Sequence, residues 1–364
     1  MDMDLSRWHN IVADVFEVYD VTTLPDRSGT VRLRGRLLID SDKAYATLAP
    51  RLRAQGYTTL FRQEKEDQVI LIVPGVIPQT SPRIWPAVIL FLLTLASVIY
   101  TGAVMEATDP NDVRLLKGLP FAVSLLSILL ATEFGHYIAA RRLGAAASLP
   151  YFIPLPTILP YFFSPFGTMG AVIVTRAPTV NRRALLAIGV AGPLAGLVLA
   201  VPILAFGLSL SQVQPLPPGQ FYFQEGNSLL YLAIKFLVFG RILPSGGVDV
   251  SLHPVAFAGW AGLLVTAFNL IPAGQLDGGH IVYALLGERA RAVTALVIVA
   301  LLALGLVWTG WWLWALLIAV FGQVHVMPLD TITRLDRPRQ VLAVLIVILF
   351  IFIFTPIPLA FRVS

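Results

Sequence analysis

The 364-residue chain has the composition of a membrane protein, with 57% hydrophobic and only 13% charged residues. A soluble globular domain is about one quarter charged, so most of this chain is expected to lie in lipid. Its net charge of +5 is attributed to arginines in membrane loops, and no nucleic-acid partner is expected. The absence of cysteine excludes disulfide bonds, a cysteine nucleophile and thiolate metal ligands.

The first 80 residues predict a small soluble α+β domain. The stretch "VRLRGRLLI" alternates apolar and polar residues, as a strand with one buried face does. A short helix is predicted to begin at Ser41 and to be closed by Gly56, and "YTTLFRQEKEDQVILIVPGV" predicts two strands around a charged turn. Because no catalytic constellation is recognisable here, the domain is interpreted as a regulatory or interaction module, or as a plain cytosolic appendage.

Residues 81–364 predict an α-helical polytopic membrane domain, and the membrane is expected to begin after the proline-rich linker "IPQTSPR". Apolar segments long enough to cross a bilayer lie at about 85–104, 118–140, 184–209, 255–285, 292–321 and 341–361. The shorter segment "SLLYLAIKFLVF" is expected to be interfacial or re-entrant, and Gly310 could divide the long 292–321 segment in two. The chain is therefore expected to have six to eight membrane helices.

The charges around these segments predict their orientation. Acidic residues dominate the side that follows the first span: Glu106, Asp109 and Asp112. Arginines flank the second and third spans on the other side: Arg141, Arg142, Arg176, Arg182 and Arg183. Because cytoplasmic loops carry the excess of arginine and lysine, the N-terminal domain is expected to be cytosolic, on the Arg141 side.

The stretch "LPYFIPLPTILPYFFSPFGTMGAVIVTRAP" between the second and third spans is apolar but is broken by prolines at positions 150, 154, 156, 160 and 165. A spanning helix does not tolerate so many prolines. Non-helical backbone at membrane depth persists only where protein or a water-filled cavity satisfies it. The stretch therefore predicts a re-entrant hairpin with "FGTMGAVIV" as its strand, in preference to a surface loop.

Two ionisable residues lie within the second apolar segment, in "ATEFGH". Glu133 and His136 are three residues apart and Thr132 precedes His136 by four, so all three occupy neighbouring positions on one helix face. An ionisable residue at membrane depth is costly and indicates a functional site. This helix alone is as compatible with a proton relay or a structural pair as it is with a catalytic site.

A later segment, "FNLIPAGQLDGGH", supplies further polar groups. Asn269, Asp277 and His280 lie in or just after an apolar helix that Pro272 and Gly274 interrupt. Ion and substrate sites of membrane proteins are built at such broken helices. A carboxylate that faces the Glu133–His136 pair from this second helix would make a metal or proton site.

At these residues the chain resembles the site-2 protease family of intramembrane zinc metalloproteases. That family has HExxH in one membrane helix and an Asn-x-x-Pro…Asp-Gly signature in a later one, and "TEFGH" and "NLIPAGQLDGG" correspond to them. "GVAGPLAGL" looks like the family's small-residue helix between the two motifs. The likeness runs from about Trp85 to Pro358. The N-terminal domain and the hairpin resemble the bacterial and plastid branch, which implies a multi-pass protein, expected in a bacterial plasma membrane.

The resemblance implies a role for each matching residue. Glu133 would be the general base that activates a zinc-bound water, His136 and Asp277 would be zinc ligands, and Asn269 would position substrate or the developing oxyanion. The substrates implied are transmembrane protein segments. The hairpin strand would pair with an unwound segment through residues that include Gly167, Thr168, Met169 and Gly170.

Thr132 departs from the family pattern, because it stands where the first histidine ligand belongs. Catalytic zinc normally has three protein ligands, and His280 is the candidate substitute. Three interpretations follow: a protease with an altered metal shell, a pseudoprotease that binds transmembrane segments without cleavage, and, less favoured, a proton- or ion-linked membrane protein. Metal content separates the first two.

Overall fold

The computed structural model describes residues 2–24, 29–77, 83–107, 109, 112–158, 164–174, 178–215, 221–322 and 327–363. Within these ranges the helices are α1 Asp2–Val12, α2 Ser41–Arg53, α3 Ile84–Met105, α4 Leu119–Arg142, α5 Arg182–Ser209, α6 Leu229–Phe239, α7 Pro254–Asn269, α8 Asp277–Leu286, α9 Ala290–Leu304, α10 Gly310–Phe321 and α11 Arg337–Ile353. The strands are β1 Phe16–Thr23, β2 Val31–Leu37, β3 Tyr57–Glu64, β4 Asp67–Pro74, β5 Tyr151–Pro154, β6 Thr168–Val172, β7 Gln212–Pro215, β8 Phe221–Glu225, β9 Val248–Ser251 and β10 Leu359–Val363.

The N-terminal unit is an antiparallel sheet of order β1-β2-β4-β3 with α1 and α2 packed on it. Alternation along the strands places Leu33, Phe61 and Ile70 in a core that Trp8 and Leu48 complete. The predicted helix from residue 41 and the strands β2, β3 and β4 are confirmed. Helix α1 and strand β1 were not predicted, because neither carries a strong local pattern.

The N-terminal unit is docked on the start of α5. Asn181, which caps α5, donates its side-chain N–H to Asp42 at 2.6 Å, and Arg183 forms an ion pair with the same carboxylate at 3.2 Å. The fully buried Asp330 accepts a hydrogen bond from Ser41 Oγ at 3.0 Å and pairs through its backbone with the edge of β3. The unit therefore lies at the end of the bundle where α5 begins.

Three helical segments in the described ranges are long and apolar enough to span a membrane: Ile84–Met105, Leu115–Arg142 and Arg182–Ser209. They match the first three predicted spans. The expected total of six to eight remains a prediction, because the later apolar segments form shorter helices.

The later segments are shorter because turns divide them. The 255–285 segment becomes α7 and α8, separated by a turn in which Pro272 lacks an amide donor and Gly274 has a φ of +59°. The 292–321 segment becomes α9 and α10, and α10 begins at Gly310. In the 341–361 segment α11 ends at Ile353, and the chain continues after two prolines as β10.

The proline-broken stretch forms an antiparallel β5–β6 hairpin that packs on α3. Ser97 Oγ donates to the Gly167 carbonyl at 2.6 Å, and the hydroxyls of Thr101 and Thr157 are 3.1 Å apart. The strand predicted in "FGTMGAVIV" is confirmed as β6. Residues 159–163, which include the expected tip near Phe163, lie outside the described part of the chain.

Candidate metal centre

An imidazole and a carboxylate from two different helices meet inside the bundle. Nε2 of His136, near the C-terminal end of α4, lies 3.1 Å from Oδ2 of Asp277, the first residue of α8. Only 13% and 16% of these side chains are exposed. The turn before α8 places the carboxylate here, because Gly278 packs so closely on Leu270 that an added Cβ would lie 2.1 Å from the Leu270 carbonyl oxygen.

Glu133 lies beside this pair on α4, three residues before His136, and only 7% of it is exposed. Three ionisable groups therefore share one region of a largely apolar bundle. A group of this kind is tolerated at depth where the charges compensate one another or hold a metal.

Helix α5 forms the third side of this region, antiparallel to α4. Nδ1 of His136 donates a hydrogen bond to the Ile188 carbonyl oxygen at 2.9 Å. The ring lies against Gly192, where an added Cβ would be 2.0 Å from Nε2. One turn further along α5, Gly196 faces Thr132 in the same way, with 2.2 Å between an added Cβ and the threonine Oγ1.

Thr132 is buried on α4, and only 3% of it is exposed. Its hydroxyl donates to the Ile128 carbonyl oxygen of its own helix at 3.1 Å. This bond within the helix is typical of threonine and uses the hydroxyl hydrogen. Position 132 therefore presents a neutral oxygen, which is a poor metal ligand compared with imidazole.

The other predicted residues lie around this region. Asn269 is the last residue of α7, at the start of the turn that leads to Asp277. His280 is on α8, where its Cβ packs near Gly189 of α5. Among the described residues no group of three or more His, Asp or Glu side chains that could hold a metal ion is present, and the role of His280 as a substitute ligand stays a prediction.

The donors present fit a zinc ion with two protein ligands. Imidazole nitrogen and carboxylate oxygen are both ligands that zinc takes in proteins, and catalytic sites commonly combine them. The two donor atoms already converge, so a cation between them requires only that the hydrogen bond opens. A third protein ligand is absent from the described part of the chain.

The four predicted substrate residues lie on the hairpin. Gly167 packs against α3 with a φ of +69°, and Thr168 Oγ1 donates to the Ile153 carbonyl oxygen at 2.8 Å. Met169 is 69% exposed. The sheet contains β5 and β6 alone, so within the described ranges the outer edge of β6 has no strand beside it.

The contribution of α5 was not predicted from the sequence. The spacing of Gly189, Gly192 and Gly196 was visible in "GVAGPLAG". That spacing also serves general helix packing in lipid, where small residues let backbones approach. Only the structure, in which His136 lies against Gly192 and Thr132 lies against Gly196, reveals that the glycine face of α5 contacts these two side chains.

The chain is similar to one protein family and to several known proteins. Residues 120–308 match the family model described as peptidase family M50. The chain is 32% identical over 314 residues to probable zinc metalloprotease EGY1, chloroplastic, of Arabidopsis thaliana, covering 78% of this chain and 55% of that protein. It is 29% identical over 370 residues to probable zinc metalloprotease EGY2, chloroplastic, of the same plant, covering 95% of this chain and 64% of that protein.

A third relative is probable zinc metalloprotease EGY3, chloroplastic, of Oryza sativa subsp. indica, with 27% identity over 317 residues, 78% of this chain and 52% of that protein. The chain thus spans between about half and two thirds of the length of these relatives. No solved structure matches it.

Proposed function

The chain belongs to peptidase family M50, and from this premise we propose that its site hydrolyses peptide bonds of transmembrane segments with a metal that is held more weakly than usual. The observation that carries the proposal is the 3.1 Å approach of His136 Nε2 to Asp277 Oδ2, with Glu133 buried beside it. The relatives named zinc metalloproteases support zinc as the ion.

In this proposal His136 and Asp277 hold the ion. A zinc ion bound there would polarise the scissile carbonyl group and make a water molecule acidic enough to attack at neutral pH. Glu133 accepts the proton of the attacking water on its carboxylate and delivers it to the leaving amide nitrogen. Asn269 positions the substrate carbonyl from the end of α7.

The substrate proposed is a transmembrane helix that has locally unwound. Its freed backbone N–H and C=O groups need partners where bulk water is absent. The outer edge of β6, from Thr168 to Val172, offers such groups by strand addition. Met169, which is largely exposed, is placed to contact the side chains of the added segment.

The Thr132 geometry supports a second candidate function. The Thr132 hydroxyl is donated to Ile128, and no group of three or more possible metal ligands is present among the described residues, which supports a site short of one ligand. A protein with this site and an open strand edge could bind transmembrane segments without cleaving them. Metal content and cleavage distinguish this pseudoprotease from the protease.

We further propose a multi-pass protein with six to eight membrane helices, whose N-terminal unit faces the arginine-rich side. That unit contacts Arg183 at the start of α5, which supports its assignment to this side. If the membrane is a bacterial plasma membrane, this side is the cytosol. The relatives are named chloroplastic, which makes a plastid membrane the alternative.

The test combines metal content with cleavage. The purified chain is assayed for zinc and for cutting of a transmembrane reporter, together with Glu133→Gln and Asp277→Asn. We expect Asp277→Asn to lower zinc content and Glu133→Gln to keep zinc while abolishing cutting. Glu288→Gln, at an exposed surface carboxylate, is the control. Zinc binding that is unaffected by Asp277→Asn would refute the site.

A further inference from the structure

Two residues of helix α5, Ile188 and Gly192, contact the imidazole ring of His136. Nδ1 faces a backbone carbonyl, Nε2 faces Asp277, and the ring plane rests on Gly192. A histidine that binds metal needs its second nitrogen fixed, because this choice sets the tautomer and the direction of the binding nitrogen.

The Ile188 carbonyl oxygen is suited to that task. A carbonyl oxygen only accepts, so the nitrogen 2.9 Å away must carry the hydrogen. With Nδ1 protonated, Nε2 is the nitrogen left to bind a cation on the Asp277 side. The backbone acceptor lies one turn before Gly192, within the same helix that supports the ring.

Gly192 is suited to fix the orientation of the His136 ring plane. A Cβ added there would lie 2.0 Å from Nε2, 2.2 Å from Cδ2 and 2.4 Å from Cε1. Every one of these distances is far below van der Waals contact, so any other residue would displace the imidazole. At Gly189, three residues earlier on α5, an added Cβ would meet its nearest neighbours at 3.4 Å, which is ordinary contact.

We propose that Gly192 and the Ile188 carbonyl are positioning groups that fix the tautomer and tilt of His136, so that Nε2 points at Asp277. Helix α5 is then a working part of the site alongside α4 and α8. The purpose assigned to this orientation rests on the proposed metal function, but the orientation itself can be measured without metal.

The first experiment compares Gly192→Ala with Gly189→Ala in the full chain. The two substitutions change helix propensity equally, so they differ only in what the new methyl group meets. We expect Gly192→Ala to weaken zinc binding 10- to 100-fold, the range for groups that orient a ligand, and Gly189→Ala to change it less than threefold. The metal-free proteins with ¹⁵N-labelled histidine should show the hydrogen-bonded Nδ1–H signal of His136 in the parent and lose it in Gly192→Ala.

The second experiment covers the case in which Gly192→Ala does not fold. In a His136→Ala background the ring is gone, so Gly192→Ala should raise the unfolding temperature or leave it unchanged. In the parent background it should lower that temperature or prevent folding. Equal loss of stability in both backgrounds, or an unchanged Nδ1–H signal, overturns the inference. Failure of the parent to bind zinc would instead overturn the proposed function, since the stability cycle and the ring signal need no metal.

Discussion

Thr132→His should convert a two-ligand site into a three-ligand site. Positions 132 and 136 are one helical turn apart on α4, and Gly196 and Gly192 are one turn apart on the antiparallel α5. The imidazole of His136 lies flat on Gly192 because no Cβ is present there. Gly196 likewise leaves space beside position 132, so an imidazole at that position could pack on Gly196 as His136 packs on Gly192.

The magnitude follows from opposing contributions. The substitution loses the Thr132–Ile128 hydrogen bond, which is worth about 1 kcal/mol. Groups that merely orient a ligand change metal affinity by about 10- to 100-fold, so a direct ligand should exceed the upper end of that range. A 100-fold gain corresponds to about 2.7 kcal/mol, so zinc binding should improve clearly even if the fold becomes slightly less stable.

The assay is a competition titration of zinc against a chelator, followed by cutting of a transmembrane reporter. Ala131→His is the control, because its side chain points about 100° away around α4 and cannot reach Asp277. Thr132→His should raise both zinc occupancy and cleavage. Adding Glu133→Gln in that background should abolish the gain in cleavage while the metal stays bound.

Two results would refute the reasoning. If the natural protein already holds one zinc and cleaves well, another group completes its shell and Thr132 does not limit it. If Thr132→His gains neither zinc nor cleavage while Ala131→His behaves the same, the loss of function lies deeper than one ligand. The protein is then better described as a binder of transmembrane segments.

Three further predictions concern parts of the chain away from the metal site. Burial, and then the Asp330 charge, raises the pKa of Tyr45 to about 12, so the folded state keeps a proton that the unfolded state loses near pH 10. The free energy of unfolding should therefore fall by up to about 3 kcal/mol between pH 10 and 12. Tyr45→Phe should remove this pH dependence in denaturant titrations, and an unchanged pH dependence would contradict the assignment. Lys235→Met should destabilise the chain by about 3–5 kcal/mol, because the buried carboxylate of Glu225, 3.1 Å from the ammonium group, loses this ion pair. Lys43→Met, at an exposed position, should have almost no effect on the melting temperature. Ser97→Ala should lower the free energy of unfolding by about 1–3 kcal/mol and speed hydrogen exchange in β6, because the Gly167 carbonyl oxygen loses the hydrogen bond from Ser97 Oγ. Equal exchange rates in Ser97→Ala and the control Ser127→Ala would show that this hydrogen bond does not hold β6 in place.

Sequence patterns within one segment predicted the helices and strands whose formation depends mainly on that segment. The strand β2 was predictable because its alternation buries Leu33 on one face, and α5 because its apolar run exceeds the bilayer thickness. The division of 255–285 was predicted from Pro272 and Gly274, but the end of α11 at Ile353 was not predicted. Periodicity reports burial along one element and says little about where an apolar run stops being helical.

The remaining features depend on contacts between segments distant in sequence. Asp330 joins the N-terminal unit to the bundle by accepting a hydrogen bond from Ser41, 289 residues away, and nothing in "MPLDTIT" indicates this. The convergence of His136 and Asp277 could be anticipated because ionisable residues in apolar segments need one another or a metal, and the family resemblance implied the same two residues. The role of Gly192 could not be anticipated even then, because a glycine's function here is the space it leaves for a residue on another helix.

Charge balance in the bundle connects these observations to the metal. Nδ1 of His136 faces the Ile188 carbonyl oxygen and Nε2 faces Asp277, with the carboxyl group of Glu133 buried beside them. Two carboxyl groups and one imidazole in apolar surroundings favour a cation that compensates their charge. A dication between Nε2 and Asp277 would supply that charge. Thr132→His adds a ligand without adding charge, so it should favour the dication and leave Glu133 free to act as a base.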